Sequence, residues 1–157
     1  MGFSLLLIIT TMIIIVFIIT KPKQNCILNI FIFLCVEFLV STIFSILLVN
    51  LSVWGTPGGN VSPIDFQIYE VLTLPFLYLL FFQYFLRTNP FYKKGLYSLI
   101  FIIFLIAIEF FLIQMNILSH NRWGYGPSII SHFITVTITL LAAKLYQSLL
   151  HKEGVHD

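Results

Sequence analysis

Four ionisable side chains stand inside long apolar stretches of the chain: Glu37, Glu70, Glu109 and His132. Such stretches are typical of membrane-spanning helices. In hydrocarbon an unpaired ionisable side chain costs at least about 2.5 kcal/mol, so these residues face the interior of a helix bundle and pair there. Carboxylates and an imidazole that meet inside a membrane can exchange protons or bind a cation. We therefore expect the four residues to converge on one polar pocket.

The depth of each residue follows from its position in its apolar stretch, because a helix rises 1.5 Å per residue. Counted in this way, Glu70, Glu109 and His132 share roughly one level in the outer half of the membrane, and Glu37 lies somewhat deeper. A common level is what a shared pocket requires. The predicted pocket is therefore open toward the outside.

Further polar residues lie at helical spacing from the ionisable ones. Thr135 follows His132 by three positions and Asn116 follows Glu109 by seven, so each shares a helical face with its ionisable neighbour. We expect both to support the pocket. The face on the last apolar stretch continues through small polar and small apolar residues, namely Ser128, His132, Thr135, Thr139 and Ala142.

Arg122 and Trp123 lie in the connector between the fourth and fifth apolar stretches. Arg122 is within reach of Glu70 or Asp65 in such a bundle, and pairing would neutralise one carboxylate. The alternative is that the Arg and Trp side chains anchor the connector at lipid headgroups. Both interpretations remain open from the sequence.

A structural role is an alternative for the whole polar set. Protonated Glu side chains can hydrogen-bond between helices, and Ser and Thr stripes commonly serve packing. The sequence has no HExxH or comparable ligand spacing, so we expect no metal and no cofactor. No nucleophile motif or phosphate-binding loop accompanies the acids, so we expect no enzymatic activity.

The elements that must position these residues are membrane helices. Of the 157 residues 59% are hydrophobic and 9% are charged, against roughly 25% charged in soluble domains. A net charge of +2 does not indicate a nucleic-acid partner. Unpaired backbone groups are not tolerated in lipid, so continuous apolar runs predict an all-α bundle. Five runs are long enough to span the bilayer, at about 3–20, 27–50, 66–86, 96–116 and 127–149.

Short connectors join these runs, so we expect one transmembrane helical domain over residues 1–157 embedded in the lipid bilayer. Cytoplasmic connectors are enriched in Lys and Arg. An outside N-terminus and a cytoplasmic C-terminus put seven of the eight basic residues on the cytoplasmic side, leaving Arg122 outside. The seven are Lys21, Lys23, Arg87, Lys93, Lys94, Lys144 and Lys152.

The second half of the chain carries a series of motifs in a particular order. They are Glu70 with Pro75, Asn89-Pro90, Glu109, the run Asn121, Arg122, Trp123 and Gly124, and Ser128. In order and spacing this half resembles a family of small, uncharacterised multi-pass membrane proteins of spore-forming Firmicutes, over residues 69–146. The first half departs from that family, which has a Trp-rich stretch with an acid after the first helix. The resemblance implies a location in a bacterial plasma membrane and brings no established activity.

The sequence therefore predicts a small, non-enzymatic multi-pass membrane protein. Its outward-facing intramembrane pocket would bind or pass a proton, a cation or a small polar solute. Five short helices form a narrow conduit at best, so transport would require a homo-oligomer. One alternative is an accessory or scaffolding subunit of a larger membrane complex, and an intramembrane enzyme has less support.

Overall fold

The computed structural model describes residues 2–20, 26–47, 54–55, 63–88, 90–115, 117–120 and 125–152. These residues form five helices and one two-residue strand pair. The helices are α1 (Gly2–Ile19), α2 (Cys26–Ser45), α3 (Pro63–Ile68, Tyr69–Thr73 and Leu74–Arg87 in continuous succession), α4 (Phe91–Gln114) and α5 (Gly126–Lys152). The strands are β1 (Trp54–Gly55) and β2 (Ser119–His120).

The predicted all-helical class and the five helices are confirmed. Four helices, α2 to α5, are long and apolar enough to span a membrane, and the apolar part of α1 is shorter. The chain is thus a membrane protein by the length and composition of its helices. Two bounds differ from the prediction by five residues: α2 ends at Ser45 rather than at 50, and α4 begins at Phe91, directly after Pro90, rather than at 96. Proline is favourable at a helix start, where its missing N–H is not needed.

Helix α3 lies at the centre of the bundle. In the most apolar 18-residue segment of α3, 61% is buried inside the protein. In the corresponding segment of α4, 17% is buried. Helices α1, α2 and α4 pack against α3, and α5 packs against α2 and α4. Three fully buried side chains of α3, Tyr69, Tyr78 and Phe82, fill the centre. Helix α3, which packs against three other helices, therefore fills the interior with aromatic side chains.

A π-helical turn interrupts α3 at Tyr69–Thr73. The backbone N–H of Leu74 donates to the carbonyl of Tyr69, five residues back rather than four. Pro75 follows directly, and a proline has no N–H and crowds the carbonyl four residues before it. The wider turn accommodates that proline. Turns of this kind are frequent at functional sites because they re-aim the side chains on either side.

Helix α1 is fastened to the π-helical turn by a pair of buried hydroxyl groups. The Thr10 hydroxyl donates to the Leu6 carbonyl at 2.8 Å, and the Thr10 and Thr73 Oγ1 atoms are 2.7 Å apart. Either hydroxyl can donate to the other, because the Thr73 hydroxyl also lies within hydrogen-bond distance of a carbonyl of its own helix, that of Ile68 at 3.3 Å. Directly after the end of α1, the Thr20 hydroxyl lies 3.5 Å from the side-chain oxygen of Gln83 on α3. Polar contacts therefore attach this shorter apolar helix to α3.

The strand pair joins two connectors at one end of the bundle. Trp54 pairs with His120 and Gly55 with Ser119 in antiparallel register. The connector after α2 and the connector after α4 thus lie at the same end, as the predicted alternation of sides requires. The identity of the cytoplasmic side stays a prediction.

Replacing Thr73 with Val should loosen α1. The substitution keeps the side-chain shape and removes the hydroxyl that bonds Thr10, so we expect a loss of about 0.6 kcal/mol, typical of interhelical hydrogen bonds in membranes. The measurement is the unfolding free energy of the purified protein in mixed micelles. Thr42→Val is the matched control, because the Thr42 hydroxyl is exposed and bonds only the Phe38 carbonyl of its own helix, at 2.7 Å. Equal stability of the two variants would contradict the role of Thr73.

Candidate functional site

The closest contact between predicted site residues joins α4 to α5. The His132 Nε2 atom lies 2.9 Å from the Glu109 Oε1 atom. Glu109 is fully buried and His132 is 4% exposed. Glu109 lies five residues before the end of α4 and His132 six residues after the start of α5. The connector between the two helices brings both residues to the same end of the bundle, which is why they meet.

A phenol extends this contact toward α3. The Tyr78 hydroxyl lies 2.9 Å from the His132 Nδ1 atom, and Tyr78 is fully buried. Thr135 lies beside the same hydroxyl, and its own hydroxyl donates to the Ser131 carbonyl at 2.9 Å. We call Glu109, His132, Tyr78 and Thr135 the buried network. It connects three helices through side chains alone.

The buried network can hold two different numbers of protons with its hydrogen bonds intact. With Glu109 ionised, His132 Nε2–H donates to the carboxylate and the Tyr78 hydroxyl donates to Nδ1. With one more proton, Nδ1–H donates to the Tyr78 oxygen and the Tyr78 hydroxyl turns to Thr135. The added proton then lies on Glu109 or on the imidazole, since either arrangement satisfies the Nε2 contact. Because Thr135 uses its own proton on Ser131, its oxygen is ready to accept.

Two further polar atoms border the buried network. The Glu109 Oε2 atom and the Tyr69 hydroxyl are buried, and neither has a hydrogen-bond partner among the described residues. Tyr69 is within electrostatic range of Glu109. Unpaired buried polar atoms are rare because each costs about 1–3 kcal/mol. Among the described residues, Glu109 Oε2 is therefore an acceptor without a donor at the Glu109 end of the network.

Glu37 and Glu70 form a separate cluster between α2 and α3. The Ser41 hydroxyl donates to the Glu37 carboxylate at 3.3 Å, and Glu70 on α3 lies close to both side chains. Both carboxylates are half-buried. The described hydrogen bond of Glu37 thus runs to Ser41, and that of Glu109 runs to His132. Among the described residues, Glu70 lies beside Glu37 rather than in contact with Glu109 or His132.

Little free volume exists beside His132. The described residues around it enclose a cavity of about 10 Å³, which is about the volume that one water molecule needs. Its other walls include Val40, Phe44 and Leu74, so the cavity is mostly apolar. The polar face of α5 expected from the sequence is present, and Ser128, Thr135 and Thr139 are all buried. Among the described residues this face packs against other helices, and the cavity beside His132 is too small for a solute.

Three of the predicted supporting residues, Asn116, Arg122 and Trp123, lie outside the described residues. The fourth, Thr135, is part of the buried network. Sequence reasoning missed Tyr78 and Tyr69. The available signal was the position of two tyrosines well inside an apolar stretch, because a buried phenol usually finds a hydrogen-bond partner.

Comparison of the chain with protein-family models, with curated proteins and with solved structures finds no match. The resemblance of the second half to the Firmicutes family stays a prediction.

Replacing Tyr78 with Phe should destabilise the protein, because it leaves His132 Nδ1 buried without its partner. We expect a loss of about 1–2 kcal/mol in the native sequence. In a His132→Leu background the same substitution should cost much less, since the partner is already gone. The unfolding free energies of the four proteins form a double-mutant cycle. Tyr92→Phe, at an exposed tyrosine, is the control and should change stability by less than about 0.5 kcal/mol.

An equal cost of Tyr78→Phe in both backgrounds would show that the phenol and the imidazole are not coupled.

Proposed function

We propose that this protein is a small multi-pass protein of the bacterial plasma membrane that binds and passes protons through the buried network. The observation that carries the proposal is the connection Glu109–His132–Tyr78, with both contacts at 2.9 Å. An imidazole bonded at both nitrogens can gain a proton at one while giving up a proton at the other. The network thereby moves charge without moving heavy atoms.

Size and ligand chemistry favour a proton over a metal cation or a solute. The cavity beside His132 is about 10 Å³, so a small organic solute does not fit. A hard cation such as Ca²⁺ or Mg²⁺ prefers about six oxygen ligands, and the buried network supplies one carboxylate, one phenol and one hydroxyl. A proton requires only the donors and acceptors already in contact.

The position of the network favours access from the end that carries the strand pair. Glu109 lies about 8 Å along the helix axis from the end of α4, and its Oε2 atom has no partner among the described residues. A proton arriving from that end meets this carboxylate oxygen first. In the predicted orientation this end faces the outside. The added proton is then shared by Glu109 and the imidazole, and the hydroxyl of Tyr78, which lies deeper along α3, turns to Thr135 so that the phenol oxygen accepts Nδ1–H.

Proton uptake into vesicles tests this proposal. The full-length protein is reconstituted into liposomes that contain a pH-sensitive dye, and acid is added outside under a potential clamped with potassium and valinomycin. We expect faster acidification than in protein-free vesicles, a return to the protein-free rate in His132→Leu, and a marked slowing in Tyr78→Phe. Thr137→Val is the matched control on α5, because Thr137 is exposed and bonds only the Phe133 carbonyl of its own helix.

Native-like flux in His132→Leu, or no flux above background in the native protein, would overturn the proposal. Glu109→Gln separates it from the structural alternative, because the amide keeps the size of the carboxylate and lacks its proton chemistry. A Glu109→Gln protein that folds and does not conduct supports proton transfer. Loss of the folded protein in Glu109→Gln together with normal flux in Tyr78→Phe would assign the network a structural role.

An accessory role in a larger membrane complex is a second candidate function. The observation that favours it is the low burial of α4. Only 17% of its most apolar segment is buried, which is the lowest value among the four described helices that could span a membrane. Purification in a mild detergent should then recover a stoichiometric membrane partner. Substitution of exposed α4 residues on one face, such as Leu99→Trp and Ile103→Trp, should release it. Recovery of the chain only as a free monomer would count against this function.

A further inference from the structure

A large apolar groove runs along the outside of the bundle between α1, α3 and α4. Its volume is about 630 Å³, far larger than the cavity beside His132. The floor is formed by α3 and the walls by α1 and α4. With the exception of two tyrosines, Tyr84 and Tyr97, every side chain that lines it is apolar. In a membrane such a groove is filled by hydrocarbon.

The connection between α3 and α4, next to one end of the groove, is basic. Tyr84 and Tyr97 lie on the last turn of α3 and near the second turn of α4, on either side of the tight connection between these helices. The Lys94 ammonium lies 5.5 Å from the ring centre of Phe85, which lines the groove. Arg87 and Lys93 flank the same connection and are exposed. Residues 84–98 contain no Asp or Glu, so these three positive charges are not neutralised by local acids.

The inner part of the groove is held rigid by aromatic contacts. The rings of Phe81 and Phe101 stack at a centroid distance of 4.4 Å with their planes 12° apart. Phe101 also packs edge-on against Tyr78, at 5.2 Å, and Tyr78 is fixed by the buried network. A groove whose walls are ordered before binding loses less conformational entropy when it is filled.

We infer that this groove binds one anionic phospholipid, with an acyl chain along α3 and the phosphate at Lys94. Charge complementarity selects this occupant: an apolar cleft with the Lys94 ammonium beside its lining residue Phe85, and with two further cations on the adjacent connection, matches a hydrocarbon chain that ends in an anionic phosphate. The phenols can donate to phosphate or ester oxygens. A polybasic cluster at the end of a membrane helix is typical of sites for anionic headgroups. Binding at this site is independent of proton passage.

Lipid retention by the purified protein tests this inference. The full-length chain in a mild detergent is titrated with phosphatidylglycerol or with phosphatidylcholine of the same acyl chains, and the bound lipid is counted by native mass spectrometry. We expect one phosphatidylglycerol per chain and at least fivefold weaker binding of phosphatidylcholine. Lys94→Gln should weaken phosphatidylglycerol binding about fivefold, the effect of one basic residue near a lipid phosphate.

Two variants make the assignment specific. Lys144→Gln is the matched control, because Lys144 is an exposed lysine on α5 outside the groove, and it should bind phosphatidylglycerol like the native protein. Ile100→Trp fills the groove from α4 and should weaken both lipids. Equal binding of the two lipids, or equal losses in Lys94→Gln and Lys144→Gln, would overturn the inference. A dimer that Ile100→Trp dissociates would also overturn it, by identifying a second copy of the chain as the occupant.

Discussion

A fully buried carboxylate in a bundle surrounded by hydrocarbon must find a partner inside the protein, and most of the polar architecture depends on that constraint. Glu109 meets it through His132, at 2.9 Å. The contact joins α4, the least buried of the spanning helices, to α5. In a low-dielectric interior each such bond is strong and each unpaired group is costly. The Glu109–His132 contact therefore both places α4 and defines the site.

The π-helical turn of α3 distributes side chains from a short segment among several neighbours. Within Tyr69–Thr73, Tyr69 points into the centre near Glu109, Glu70 contacts Ser41 on α2, and Thr73 bonds Thr10 on α1. An inserted residue rotates the remainder of the helix by about 100° relative to an uninterrupted one. One irregular turn thereby allows a single central helix to form polar contacts with α1 and α2 and to approach α4.

Tyr78 connects the two functional proposals without making either depend on the other. Its hydroxyl belongs to the buried network, and its ring packs against Phe101 in the wall of the groove. The Tyr78 hydroxyl contacts His132, and the Tyr78 ring supports the wall of the groove that we propose to bind lipid. Such a residue has to be aromatic for the groove and hydroxylated for the network.

The sequence by itself determined the all-helical membrane class, the five helices, the buried polar face of α5 and the common level of Glu109 and His132. Composition and helical period suffice for these properties. In hydrocarbon the backbone of such an apolar run has no alternative to a helix, and each ionisable group strongly prefers the interior of the protein. Only the tertiary structure decided that Glu109 pairs with His132, that Glu70 lies near Glu37 and Ser41, and that Tyr78 completes the network. Periodicity defines a face on each helix, but not the rotation of one helix against another, and a π-helical turn changes that rotation within a single span.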